Sequence, residues 1–176
     1  MPLYRAADAD IETIVGIVNH AYRGTDGWTH EGDYIDGQRT DARTLRADQA
    51  NAPGAFLLTL REEPESEILG VVWLEPQSGS VWYLGMLTVR PDLQASRLGR
   101  GLLEQAEVFA QHRGARRLRM TVVSVRETLI AWYERRGYRL TGETEPFPYD
   151  DERFGRPKRD DLVFVVLEKA LPAGAG

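Results

Sequence analysis

The sequence predicts a single α+β domain. Three observations lead there. Runs with the two-residue apolar period of strands are interleaved with runs at helical spacing along the whole chain. Three strand-like runs, Phe56 to Arg61, Ile68 to Glu75 and Val81 to Val89, follow one another across short turns, the pattern of an antiparallel meander. Finally, 176 residues, 42% hydrophobic and 28% charged, suffice for one well-buried core, and no repeat, low-complexity tract or linker divides them.

Leu3 to Ala7 reads as a short first strand. Asp8 or Asp10 is placed to cap a helix that carries Ile11, Ile14, Val15, Val18 and Ala21 on one face and ends near Arg23-Gly24. The segment from Gly24 to Tyr34 mixes glycines, acids and aromatics without a period, so it reads as a long loop, and such loops often carry function. Thr40 or Asp41 can cap a second helix reaching about Ala50, closed by Asn51-Ala52-Pro53-Gly54. In the meander that follows, Glu62 to Ser66 is an acidic turn and Pro76 to Gly79 joins the second run to the third. Next come a helix with Leu98, Leu102, Leu103, Ala106, Phe109 and Ala110 at its apolar positions, a strand from Leu118 to Val123, and a helix from Thr128 to Arg136. Tyr138-Arg139-Leu140 reads as a strand, Glu145 to Asp160 as a loop rich in proline and charge, and Leu162 to Leu167 as the last strand. The domain then spans 1–171, with 172–176 a frayed tail.

Composition removes several kinds of chemistry. A net charge of −5 speaks against nucleic-acid binding through a broad basic surface. The absence of cysteine excludes disulfides, thiolate-bound metals and a cysteine nucleophile. No apolar run approaches the length of a membrane span and the N-terminus has no signal-peptide core, so a soluble, cytoplasmic protein is expected. His20, His30 and His112 are scattered and form no metal-binding pattern.

The most informative stretch is Gln94-Ala95-Ser96-Arg97-Leu98-Gly99-Arg100-Gly101-Leu102-Leu103-Glu104. It follows the strand ending Met86-Leu87-Thr88-Val89-Arg90-Pro91 and opens a helix, giving the order strand, tight glycine-bearing turn, helix. At such a junction the unpaired N–H groups of the first turn and the positive end of the helix dipole favour an anion such as a pyrophosphate. Gly99 and Gly101 let the backbone come close to it.

This stretch resembles motif A of the GCN5-related N-acetyltransferase (GNAT) family, Gln/Arg-x-x-Gly-x-Gly/Ala behind a strand with a Leu-x-Val-x-Pro ending. Gln94 fits the first position, Gly99 the last, and Leu87 to Pro91 the strand. Where the family usually has its first glycine stands Arg97, which tolerates positive φ poorly; the expectation is that the turn keeps ordinary helical angles and the guanidinium reaches a phosphate. A second stretch, Leu129 to Tyr138, resembles the family's motif B, with Tyr133 four residues before Gly137-Tyr138. The order of elements over nearly the whole chain is also that of the family. The resemblance implies a three-layer α/β/α fold of the α+β class, a central, mostly antiparallel mixed sheet flanked by helices.

It also implies direct transfer of an acetyl group from acetyl-coenzyme A to an amine, with no covalent nucleophile, so the missing cysteine is no objection. Such a reaction requires a held cosubstrate, a polarised thioester carbonyl, a deprotonated amine and a stabilised leaving thiolate. By the resemblance, backbone groups of Leu87 and Val89 pair with the pantetheine arm, in a slot opened by a bulge in their strand. The pyrophosphate falls to the turn containing Gln94, Ala95, Arg97, Leu98, Gly99, Arg100 and Gly101. Arg97, Arg100 and Arg126 are placed near phosphates, although Arg126 stands where many members have a cofactor-contacting asparagine. Tyr133 is assigned to the cosubstrate and, as catalytic residue, to its leaving sulfur, since a neutral tyrosine hydroxyl can hydrogen-bond a thiolate.

For the base, the strand Ser80 to Val89 offers no acid. Glu31 in the early loop is the choice, with Glu75 or a water chain as alternatives. Trp28, Tyr34, Asp26 and Asp33, with Phe147 and Tyr149 from the late loop, are expected to line a cleft for a small amine, a cationic one included. No metal is implied, and a homodimer is among the assemblies that family members form. A dinucleotide-binding oxidoreductase fits poorly, because Glu104 stands at the third glycine position and the meander is wrong for a parallel nucleotide-binding sheet. Neither a Gly-x-Ser-x-Gly elbow nor a Walker A sequence is present. The competing reading from a different class is a non-catalytic acyl-coenzyme A sensor with the same fold.

Overall fold

The computed structural model describes residues 1–24, 31–32, 34–151 and 155–173. Asp26, Trp28 and Asp33, expected in the acceptor cleft, lie outside the described residues. The elements are β1 Leu3–Arg5, α1 Ile11–Arg23, β2 Ile35–Asp36, α2 Ala42–Asn51, β3 Phe56–Leu60, β4 Gly70–Pro76 and β5 Val81–Val89, then α3 Leu98–His112, β6 Arg117–Val123, α4 Glu127–Glu134, β7 Arg139–Pro146, β8 Arg156–Pro157 and β9 Val163–Ala170. Seven strands form one sheet in the order β1-β3-β4-β5-β6-β9-β7, while β2 and β8 pair as a separate two-stranded ribbon. Every pairing in the large sheet is antiparallel except β5 with β6.

The two-residue alternation of the meander decides the layering. Leu58, Leu60, Val72 and Leu74 enter a core with Leu102, Leu103, Ala106 and Ala110 of α3 and Ile130 and Tyr133 of α4. Their neighbours Leu57, Val71 and Trp73 face the other way, into a core with Ile11, Ile14 and Val18 of α1 and Leu45 of α2. The strands β3 and β4 read as nearly continuous apolar runs because both faces are covered. This is the three-layer α/β/α arrangement.

The caps divide. Asp41 caps α2 as expected, its carboxylate accepting from the Thr44 N–H at 2.7 Å. Asp10 does not cap α1 in that way: its carboxylate reaches back to the Ala7 N–H at 2.8 Å and accepts from Arg61 at 3.1 Å. The strand expected over Tyr138-Arg139-Leu140 extends as β7 to Pro146, into what was expected to be loop. Its residues are all exposed, so no alternation marked it. The ribbon of β2 and β8 was not anticipated either, since two-residue strands leave no period to read. Among the described residues no helix is long and apolar enough to cross a membrane.

Candidate active site

The site begins with a fault in β5. Gly85 pairs with Trp73 and Thr88 with Val71, so Met86 and Leu87 together oppose Val72 alone. This is a bulge, and Met86 takes a φ of 56° to make it. The Thr88 hydroxyl, buried, donates to the Met86 carbonyl at 2.9 Å and so spans the fault. On the other edge, β5 pairs with β6 only from Val81 to Tyr83. Beyond Tyr83 the two strands separate, while β6 stays zipped to β9 as far as Val123. The result is a wedge in the sheet, lined by Leu84 to Leu87 on one side and Met120 to Val123 on the other.

After β5 the chain makes a 3-10 turn, Pro91–Ser96, and enters α3 through Arg97. Arg97 has φ 65° and ψ 9°, a left-handed conformation. The expectation of ordinary helical angles is therefore corrected: the backbone keeps the turn that a glycine usually makes, and an exposed arginine carries the strain, of about 1–2 kcal/mol. The Gly101 N–H is already committed to the Arg97 carbonyl at 3.2 Å, so the orphan donors at the tip of α3 are those of Leu98, Gly99 and Arg100. A Cβ built at Gly101 meets no atom within 4 Å. Gln94 holds the turn to the strand, its amide lying 3.4 Å from the Val89 carbonyl. Arg100 is turned away to Glu104, one turn along the exposed face, at 3.1 Å.

Tyr133 sits at the meeting point of two cavities. One, about 270 Å³, runs along Leu87, Thr88, Val89, Gln94 and Gly99 beneath Trp132. The other, about 240 Å³, fills the wedge and continues to Tyr22, Arg39 and Phe147. Tyr133, Leu87, Leu129, Arg126 and Tyr22 belong to both. The Tyr133 ring meets Trp132 and Tyr138 edge-on, with centroids at 5.2 and 5.7 Å. Burial drives its phenol above the ordinary tyrosine value, with Tyr22 adding to the effect and the charge of Arg126 opposing it. Its hydroxyl is thus a neutral donor at any working pH. Gly137, with φ 96°, turns the chain out of α4, which gives the glycine of that motif a physical reason.

Glu31 lies on the wall of the wedge cavity and is 5% exposed. Arg23 donates to its Oε1 from Nε at 3.2 Å and brings Nη2 within 3.1 Å of the same oxygen, and the Arg126 Nη1 donates to its Oε2 at 3.3 Å. Its main chain is tied as well, its N–H donating to the Tyr22 carbonyl. Burial pushes the Arg23 guanidinium below its usual value, Glu31 raising it again and Arg39 adding a further lowering. Glu75 accepts from the Trp73 indole at 3.1 Å and lines a neighbouring cavity on the α2 side of the sheet, which shares Arg39, Tyr83, Gly85 and Met86 with the wedge cavity. Phe147 lines the wedge cavity; Tyr34 packs against the cluster of Ile35, Val123, Phe147 and Leu162. Tyr149, 38% exposed, is outside the cavity lining and accepts through its hydroxyl from the Leu162 N–H at 2.6 Å.

The structure thus brings together Leu87, Val89, Gln94, Gly99, Arg126 and Tyr133 along one groove and sets Glu31 at its far end. Among the described residues it adds Tyr22, Arg23, Arg39, Tyr83, Leu129 and Trp132, none singled out for the site from sequence. Tyr83 folds its phenol across Gly85, where a Cβ would lie 2.7 Å from the hydroxyl. Only the missing side chain at position 85 could have hinted at this.

Solved structures with the same fold span nearly the whole chain. They include the ribosomal-protein-alanine N-acetyltransferase from Brucella melitensis (20% identity, covering 97% of this chain and 100% of that one, TM-score 0.67). The ribosomal-protein-S18-alanine N-acetyltransferase from Escherichia coli is similar at 19% identity (99% and 95% covered, TM-score 0.65). The IAA acetyltransferase from Bacillus cereus is similar at 14% (96% and 98%, TM-score 0.66). At these identities the likeness is one of fold. No curated protein sequence matches. The sequence model of the acetyltransferase (GNAT) family matches residues 13–138, covering the bulged strand, the turn into α3 and the tyrosine of α4, and the chain belongs to that family.

Proposed function

We propose that this protein transfers an acetyl group from acetyl-coenzyme A directly to the primary amine of a small acceptor. The observation that carries the reading is the meeting of two cavities at Tyr133, inside a sheet that opens where β5 leaves β6. The groove suits a long, thin cosubstrate. Backbone groups of Leu87 and Val89 pair with its amide-bearing arm, the N–H groups of Leu98, Gly99 and Arg100 take its pyrophosphate, and the open side of Gly101 admits it. Arg97, exposed beside these donors, supplies positive charge to the phosphates.

The acceptor enters from the wedge side. The neutral amine nitrogen forms a bond to the thioester carbonyl carbon as the bond from that carbon to sulfur breaks; the sulfur leaves as thiolate, and the proton lost by the nitrogen passes through solvent to that thiolate, giving the free thiol. Tyr133 donates a hydrogen bond to the leaving sulfur from a phenol that burial keeps protonated. Glu31, named from the sequence as the base, has guanidinium donors on both oxygens, and its role in this reading is to hold the early loop against the start of α4. Arg126, the residue before α4, is its partner there and borders both cavities.

A second reading, a protein that binds acyl-coenzyme A without turnover, is favoured by that same engagement of Glu31 and by the absence of an acid from β5. The test is thiol release from acetyl-coenzyme A over a panel of primary amines. Amine-dependent release that falls about 10- to 100-fold in kcat for Tyr133→Phe, the worth of one hydrogen bond to a charged sulfur, supports the transferase; binding without release for any amine supports the sensor.

A further inference from the structure

The acceptor end of the wedge cavity is walled by arginine. Arg23, Arg39 and Arg126 line it together, against the carboxylates of Glu31 and Glu145 among the described residues. Glu31 lies between Arg23 and Arg126. Glu145 faces the Arg119 guanidinium at 3.8 Å. The Tyr22 ring is flanked by two of the arginines, with the guanidinium carbons of Arg39 and Arg126 each 5.5 Å from its centroid. Burial lowers the Arg23 guanidinium, Glu31 opposes this, and Arg39 adds a smaller repulsion, so two of the three charges are balanced in part by the carboxylate between them.

We propose that the acceptor is an amino-acid-like molecule whose carboxylate, close to its primary amine, is held by Arg39 beside the Arg23–Glu31–Arg126 cluster. The inference rests on the transferase reading and names its substrate class. Guanidinium is the group that recognises a carboxylate with directed, charge-assisted bonds. A cavity of about 240 Å³, smaller than the sites that take drug-sized ligands, fits a molecule of amino-acid size. With Glu31 and Glu145 counted against the three arginines, the wall keeps one net positive charge, which favours an anion over a cation. A polyamine or other polycation, compatible with the overall charge of −5, is unsuited to this wall.

The test is thiol release from acetyl-coenzyme A by the full-length chain with the free amino acids, each paired with its own carboxamide. The pair keeps the amine and removes the anion. For the accepted amino acid, kcat/KM should exceed that of its carboxamide by about 10-fold or more, mostly through KM. Arg39→Gln should bring this ratio toward one, and Arg39→Lys, which keeps the charge, should retain most of it. Equal rates on acid and carboxamide, faster turnover of diamines, or a ratio unmoved by Arg39→Gln would overturn the inference while leaving the transferase intact. No release with any amine would remove the transferase reading and the inference with it.

Discussion

Arg97, Glu31 and Tyr133 each carry a conflict between local and global demands. Arg97 holds a left-handed backbone without being glycine. Arg97→Gly should raise stability by about 1 kcal/mol in urea denaturation, and weaken acetyl-coenzyme A binding about threefold as the exposed charge is lost. A variant with unchanged stability would mean that the strain is taken up elsewhere. Glu31 is a buried charge whose removal takes the carboxylate away from two buried guanidiniums, so Glu31→Ala should cost about 3 kcal/mol by the same measurement. Its milder form Glu31→Gln should lower kcat/KM while leaving the shape of its pH profile intact; loss of the acidic limb would make Glu31 the base. Tyr133 was legible through the resemblance of Leu129 to Tyr138 to motif B; on its own, an aromatic on an amphipathic helix reads equally as core. Arg23 and Arg39 were not, since one closes a helix and the other precedes α2 with no period or motif around it.

The elements were legible in proportion to their burial. The runs that became β3, β4 and β5 read clearly because apolar residues fill both faces, and α1 and α3 because one face of each is apolar. β7 did not, having no buried residue, and its exposed edge shows instead the devices that discourage a further strand: a register shift between Leu140 and Thr144 and a Gly142 with φ 87°. The junction of α4 with β7 carries a buried misfit. Tyr138 is 1% exposed, and among the described residues its hydroxyl finds no hydrogen-bond partner. Tyr138→Phe should therefore hold or raise stability, by about 1 kcal/mol in urea denaturation, whereas a loss of that size would reveal a bond to the hydroxyl. At the same junction Gly137→Ala should cost at least about 1 kcal/mol, because alanine disfavours φ 96° and its Cβ would lie 3.3 Å from Lys169 Cε.

Taken whole, the molecule is a sheet split on one side and packed on both faces, and it also holds several tyrosines away from water. Burial raises Tyr83, Tyr133 and Tyr138 above the ordinary value of 10. Unfolded, they would ionise near pH 10; folded, they stay protonated to higher pH. The stability linked to them is thus complete below pH 10 and lost as pH rises beyond it. The urea midpoint should fall above pH 10, and less steeply in Tyr138→Phe. Sequence could give the order of elements and the turn into α3; it could not give the wedge, which depends on where β5 and β6 part, nor the arginine wall, which three separate segments assemble. Calorimetric titration with acetyl-coenzyme A, on the wild type and on Gly101→Ala, tests the groove directly. Alanine meets no atom there and favours the helix, so the variant should melt at a higher temperature yet bind more weakly, while the wild type binds one molecule per chain. No binding by the wild type, or undiminished binding by the variant, would contradict the placement of the cosubstrate against the first turn of α3.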